Sequence, residues 1–162
     1  GYENGFSIPI MIDSNRPDHE RIAILYKTSL EKVGVDLKIE KLPTGDLYSR
    51  RSKHELPLYV NMDMAGFPDP QFSIGIFVES NSGANYNDYS NETVDALFYE
   101  ASGTLDTEIR NNNWIEIQKL FADDVGWIMV AEPGYYVPVR DNVEGLTWTS
   151  LNGIDWRFAE KK

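Results

Sequence analysis

The sequence predicts an α/β fold, and three observations carry that reading. Apolar residues alternate from Phe6 to Asp13 and again from Val35 to Lys41, the period of a strand. A helical stripe fills the interval between them. A third apolar run, Leu56 to Asp63, leads into Gly66-Phe67-Pro68-Asp69-Pro70, a turn followed by a helix start. In open α/β sheets ligands gather at the carboxyl ends of strands, so this strand end is the first place to look for function.

The elements follow in order. In the first strand Phe6, Ile8, Ile10 and Ile12 alternate. Asn15 to Asp18 breaks it, and Pro17 suits the first turn of the next helix. From His19 to Val33 the residues Ile22, Leu25, Tyr26, Leu30 and Val33 form the expected buried stripe, and Gly34 is the stop. In the second strand Val35, Leu37 and Ile39 face inward, and Asp36, Lys38 and Glu40 outward. If the two strands pair in parallel, their crossover is right-handed. Pro43 and Thr44 open a short helix, Gly45 to His54, whose Arg50, Arg51 and Lys53 read as a solvated face. The third strand has Leu58, Val60 and Met62 on one side and Tyr59, Asn61 and Asp63 on the other. Two mixed faces mark a central strand beside a cleft.

Asp69 and Pro70 fit an N-cap and first helical position, with the helix running through Val78. Asn81 to Asn87 is a polar loop. Ser90 or Asn91 caps a helix over Glu92 to Ser102. Asp106 caps another, to about Asp124, with Ile109, Trp114, Ile117, Leu120 and Phe121 as its stripe. Trp127 to Glu132 reads as a strand that Tyr135 to Val139 extends. Leu146 to Thr149 and Ile154 to Phe158 are further strand candidates. No repeat, low-complexity tract or linker interrupts the chain, so residues 1–162 read as a single domain.

Composition narrows the function. The formal net charge is −11 and a nucleic-acid backbone would be repelled. Anionic membrane surfaces are disfavoured likewise, and no apolar run reaches bilayer-spanning length. With no cysteine, thiolate nucleophiles and cysteine-based zinc sites are excluded. The two histidines, His19 and His54, lie among charged residues without metal-ligand spacing and read as surface groups. No metal and no cofactor is implied. The opening GYENGFSIPI has no leader pattern, which suits either a cytoplasmic chain or an exported one that has lost its leader.

Four segments, in this order, carry a resemblance. FSIPIMIDSNRPDHERIAILYKTSLEKVGVDLKIEKL forms the opening strand, helix and second strand. MDMAGFPDPQF is similar to a G-W-x-x-D-Y-P-D-P-x-x-F stretch. NYNDYSNETVDALFYEA is similar to an NY-x-x-YSNPEVDALI-x-EA stretch. IRNNNWIEIQKLFADDVGWIMV is similar to a helix and strand that follow it. Together they resemble the C-terminal lobe of the periplasmic oligopeptide/dipeptide-binding proteins, the family 5 extracellular solute-binding proteins of ABC importers. The resemblance implies one lobe of a type II periplasmic binding protein, with a mixed central sheet and helices on both faces. It implies a ligand-binding lobe of a larger two-lobe receptor that closes on its solute and catalyses nothing. The implied partners are a peptide or other small-molecule solute, the missing N-terminal lobe and ABC permease subunits. The implied location is periplasmic or extracellular, with the leader far upstream. Trp148, Ile154, Trp156 and Phe158 sit where family members return toward the other lobe.

The same comparison assigns the ligand-facing set as Asn61, Asp63, Met64, Ala65, Gly66, Phe67 and Tyr86. In peptide-binding members an aspartate before the turn receives the peptide ammonium, which needs a counter-charge once desolvated. Gly66 stands at that place here. Asp63, three residues earlier, aligns with the family's tryptophan and could serve if the turn is rearranged. Gly66 also leaves room for a bulkier or less charged solute, such as an opine or sugar conjugate. Asp69 reads as a helix cap. Tyr86 and Tyr89 either stack on ligand or pack their loop. The enzymatic alternative is a glycosidase using Asp63 and Asp69 as paired carboxylates. No nucleophile elbow, phosphate loop or metal ligand set supports it.

Overall fold

In a computed structural model of the chain, residues 2–62, 67–132, 134, 136–149 and 153–162 are described. They fall into two compact units, one of residues 1–63 with 79–92, the other of residues 64–78 with 93–162.

The first unit is built on β1 (Phe6–Asp13) and β2 (Val35–Leu42), which pair in parallel with Phe6 opposite Val35 and Asp13 opposite Leu42. Parallel neighbours need a crossover, and α1 (Pro17–Leu30) supplies it. Pro17 occupies its first turn, where the missing N–H is no loss. The helix tightens into a 3₁₀ turn, Glu31–Val33, and stops at Gly34 with φ 81°. That left-handed conformation costs glycine nothing and would strain any other residue. The Gly34 carbonyl then accepts the Phe6 N–H at 3.1 Å, which ties the start of β1 to the start of β2.

Ile10, Ile12, Ala23, Leu37 and Val60 are buried together, and Ile8, Ile22, Tyr26, Leu30, Val35, Ile39 and Leu58 pack around them. Burial of each large aliphatic side chain contributes roughly 1.5–3 kcal/mol. The inward positions expected on both strands therefore hold from Ile8 and Val35 onward, while Phe6 is exposed, and the expected stripe on α1 needs rotating. Leu25 is 68% exposed and Val33 73% exposed, while His19 and Ala23 are buried. Residues 19, 22, 23, 26 and 30 fall on one helical face, and Leu25 does not. The small Ala23 sits where the helix packs on the strands, a position that a search for large apolar residues passes over.

His19 is accordingly not a surface group. It is 5% exposed, and neither ring nitrogen has a hydrogen-bond partner. Burial lowers its pKa below the ordinary histidine value, with the Asp18 and Asp13 charges opposing and Arg16 assisting. His54 is exposed, as expected.

The third strand reduces to a single parallel bridge, Met11 to Tyr59. Met11 N–H donates to the Leu58 carbonyl at 2.9 Å, and Val60 N–H donates to the Met11 carbonyl at 3.0 Å. β1 is thus flanked on both edges, and Val60 joins the core as its alternation requires. Met11 and Asp13 point to the face opposite Ile10 and Ile12, and both are buried. There Asp13 accepts the Asn15 N–H at 2.8 Å and the hydroxyl of Thr44, the first residue of α2 (Thr44–Arg51), at 2.9 Å. These bonds satisfy a carboxylate that would be costly to bury alone.

The second unit is helical with short antiparallel pairs. A π-helical turn, Gln71–Gly75, runs into α3 (Ile76–Val78) where an ordinary helix through Val78 was expected. α4 (Glu92–Gly103) and α5 (Thr107–Asp123) lie close to their expected bounds. Asp106 caps α5 by accepting the N–H groups of Glu108 and Ile109. Trp114, Ile117 and Phe121 are buried as the periodicity predicts, whereas Ile109 is exposed. Phe98 meets Trp114 edge to face with ring centres 5.9 Å apart. A Cβ on Gly75 would lie 2.7 Å from the Trp114 ring and 2.9 Å from the Phe98 ring, so backbone and rings meet in direct contact there.

β3 (Val143–Glu144) pairs with β6 (Glu160–Lys161), and β4 (Thr147–Thr149) with β5 (Gly153–Asp155), both antiparallel. Parallel and antiparallel ladders are both present, in separate sheets. β5 ends at Asp155, whose carboxylate accepts the Arg157 N–H and stops the strand short of Phe158. Residues 127–132 and 136–139 form no strand, contrary to expectation, because no described segment offers them a ladder; Tyr135 lies outside the described residues. The Trp127 ring instead packs against Phe77 and Phe121, at 5.1 and 5.5 Å.

Two outcomes follow. Gly75→Ala should lower stability by about 1–3 kcal/mol through overpacking against Trp114, while Gly103→Ala, with nothing within 4 Å of the added carbon, should be near neutral; urea unfolding measures both. Because His19 protonates more readily once unfolded, its burial favours the fold fully above its ordinary pKa, and that support drains away as pH drops through and below that value. His19→Leu should flatten the loss of urea stability between about pH 7 and pH 5.

Candidate ligand-facing wall

Asn61 lies just past the bridge that aligns the third strand, and its side chain is exposed. Its Oδ1 accepts a hydrogen bond from Arg51 Nη1 at 3.0 Å. Arg51 is the last residue of α2, and its guanidinium carbon lies 4.7 Å from the centre of the Tyr48 ring and 4.2 Å from that of Tyr86. Tyr48 is one helical turn back, so that contact is local. Tyr86 comes from the polar loop. The structure therefore brings two expected wall residues, Asn61 and Tyr86, together through an arginine expected to be solvated. Arg51 is half-buried, and its Nε has no hydrogen-bond partner.

The loop that delivers Tyr86 is pinned from within. Asn85 is 5% exposed; its Nδ2 donates to the carbonyls of Glu79 at 3.2 Å and Tyr89 at 2.7 Å, and its Oδ1 accepts the Tyr89 N–H. Tyr59 Oη donates to Asn87 Oδ1 at 2.9 Å. His54 Nδ1 lies 2.8 Å from Asp88 Oδ1. The Tyr86 ring is thus engaged by Arg51, and the Tyr89 backbone closes the loop on itself.

In the second unit Phe67 is exposed and packs its ring against Phe72, with centres 5.0 Å apart. Asp69 caps the following turn as expected, accepting the Gln71 N–H at 2.9 Å, while its carbonyl accepts the N–H groups of Phe72 and Ser73. It also has a partner the sequence reading missed. Arg110 Nη2 lies 2.8 Å from both carboxylate oxygens, 41 residues away in sequence. Partial burial opposes ionisation of Asp69, but the Gln71 N–H and the Arg110 hydrogen bond and charge outweigh it and hold the carboxyl below its ordinary range. That carboxylate is committed to structure. Asp63, Met64, Ala65 and Gly66 lie outside the described residues. Among the described residues no group of three or more acidic or histidine side chains could hold a metal ion.

Solved structures place this architecture. A periplasmic binding protein of Helicobacter pylori in complex with the peptide STSA matches with a TM-score of 0.80 and 23% identity, over 95% of this chain and 32% of that one. A dipeptide-binding protein of Pseudoalteromonas in complex with Met-Leu matches with a TM-score of 0.79 and 22% identity, over 100% of this chain and 33% of that one. The fold is that of a type II periplasmic binding protein lobe. Residues 1–85 match the bacterial extracellular solute-binding proteins, family 5 Middle, and the chain belongs to that family. A probable D,D-dipeptide-binding periplasmic protein of Escherichia coli is 26% identical over 148 residues, covering 90% of this chain and 29% of the relative. A dipeptide-binding protein of the same organism is 28% identical over 154 residues, covering 90% and 28%. The chain thus spans less than a third of the length of these relatives.

Arg110→Ala and Asp69→Asn should each destabilise modestly, and a double-mutant cycle at neutral pH should give a coupling of about 0.5–1 kcal/mol, typical of a partly exposed ion pair. Since Asp69 is more acidic when folded, the coupling should be complete above the ordinary aspartate range and shrink toward zero as acid titrates the folded carboxyl. Urea unfolding of the four proteins at several pH values measures it.

Proposed function

We propose that this chain supplies one wall of the solute cleft of an ABC-importer receptor, and that the solute is a peptide or peptide-like compound. The observation that carries the reading is similarity along about 90% of the chain to proteins named for binding di- and oligopeptides. Residues 1–162 act as one C-terminal lobe, and the remaining lobe supplies the opposite wall. The cleft residues are Asn61, Asp63, Met64, Ala65, Gly66, Phe67 and Tyr86. The receptor works in the periplasm or outside the cell and hands its solute to permease subunits. The reading assigns it a binding role without catalysis, and the engagement of the Asp69 carboxylate by Arg110 and the Gln71 N–H supports that over a glycosidase.

Gly66 favours a second ligand class. With no carboxylate at the place that receives a peptide ammonium in peptide-binding members, an opine or sugar conjugate fits the same wall. Calorimetry on the whole receptor separates the two. Di- and tripeptides should bind, and the 162-residue chain alone should bind them at least about 100-fold more weakly, because half the contacts and the closure step are missing. Opine binding with no response to peptides would favour the second class. Tight binding by this chain alone would overturn the shared cleft.

A further inference from the structure

We propose that the buried Asn85 is a positioning residue for Asn61: it holds the polar loop in the shape that lays Tyr86 on Arg51, and Arg51 in turn sets the direction of the Asn61 amide. This rests on the reading of Asn61 as a cleft residue and adds how its side chain is held. Residues 81–91 form neither strand nor helix, so no ladder fixes their course. Local preference does not fix it either, since Asp88 has φ 52°, a left-handed conformation that costs a residue with a Cβ. The Asn85 carboxamide does the work instead. Its Nδ2 reaches back to the Glu79 carbonyl and forward to the Tyr89 carbonyl, and its Oδ1 accepts the Tyr89 N–H. At 5% exposure water cannot replace these bonds. An aspartate offers no donor here, and a leucine offers neither donor nor acceptor.

The relay from Asn85 outward has three links. Tyr86 is its neighbour in the chain, so the pinned backbone delivers that ring. The ring centre lies 4.2 Å from the Arg51 guanidinium carbon, and both side chains are half-buried. Arg51 Nη1 then donates to Asn61 Oδ1 at 3.0 Å. Burial of Val60 places the Asn61 backbone, but an exposed amide turns freely in water unless something holds it, and Arg51 does. Two other ties join the loop to the rest of the unit, Tyr59 Oη to Asn87 and His54 to Asp88. Both end on exposed loop residues, where water competes for the same groups, and neither touches the Asn61 side chain. Tyr59 stands two residues before Asn61, yet its own backbone is already fixed by the bridge to Met11. The loop therefore acts on Asn61 through Arg51.

The test follows the Asn61 side-chain amide and Arg51 Nε–H nuclear magnetic resonance signals of the 162-residue chain. No solute is added, so the outcome is independent of whether the receptor binds peptides. Asn85→Asp keeps the size and the acceptor and loses both donated bonds. It should shift both signals in the direction that Tyr86→Leu shifts them, while the β1 and β2 amide signals stay in place. Added to Tyr86→Leu or to Arg51→Met, it should move the Asn61 amide no further; added to Tyr59→Phe, it should keep its full effect. An unmoved Asn61 amide in folded Asn85→Asp would overturn the relay. So would an effect that survives Arg51→Met, or one that Tyr59→Phe abolishes. Should Asn85→Asp not fold, two measurements decide. In the unsubstituted chain the Asn85 side-chain amide should exchange its protons far more slowly than an exposed amide, and Tyr86→Leu should still shift Asn61. Fast exchange at Asn85, or an Asn61 amide indifferent to Tyr86→Leu, would sink the proposal.

Discussion

The parallel pairing of β1 with β2 is the constraint from which the first unit follows. It obliges the chain to cross over, and α1 makes that crossing with Ala23 against the strands and Ile22, Tyr26 and Leu30 around it. It also leaves the other edge of β1 open, and the Leu58–Val60 segment bonds there through Met11. That short bridge decides where Asn61 emerges. A slip of one residue would exchange Val60 for Tyr59 in the core and turn Asn61 away from Arg51. The position of Asn61 is therefore set by hydrophobic burial at Val60, not by a polar contact at the surface.

Local signals made most of the fold legible. Alternation located β1 and β2, proline and glycine bracketed α1, and an aspartate announced α5. Each depends on residues close in sequence, so a sequence shows it directly. Failures came where the deciding partner is remote. His19 looked solvated because its neighbours are charged, yet the helical period turns it inward. Trp127 to Glu132 has the composition of a strand but no edge to join. The third strand kept its facing and lost its length, since one backbone bridge suffices to hold Val60 in the core.

The contacts made around Asn61 and Tyr86 are not legible in the sequence. Asn61 and Tyr86 were picked out because polar and aromatic groups at a strand end call for a reason. The arginine between them in the contact network was read as one of three basic residues on a wet helix face. Nothing near Arg51 in sequence foretells Tyr86, 35 positions on. Arg110 and Asp69 are as far apart again. In both cases the guanidinium reaches a partner delivered by another element, and only the assembled unit brings the two within reach.

The wide winding at Gln71–Gly75 has a consequence for how this lobe can vary. A π turn closes each hydrogen-bonded ring around one more residue than an α turn does. That surplus lets Asp69 keep its hold on Arg110 while Gly75, further along, meets the Trp114 ring. Deleting a single residue inside the segment would restore ordinary winding and swing everything after it by about 100°. Either the cap or the glycine contact could then be kept, but not both. Length changes should thus be poorly tolerated here, even where individual side chains can be exchanged freely.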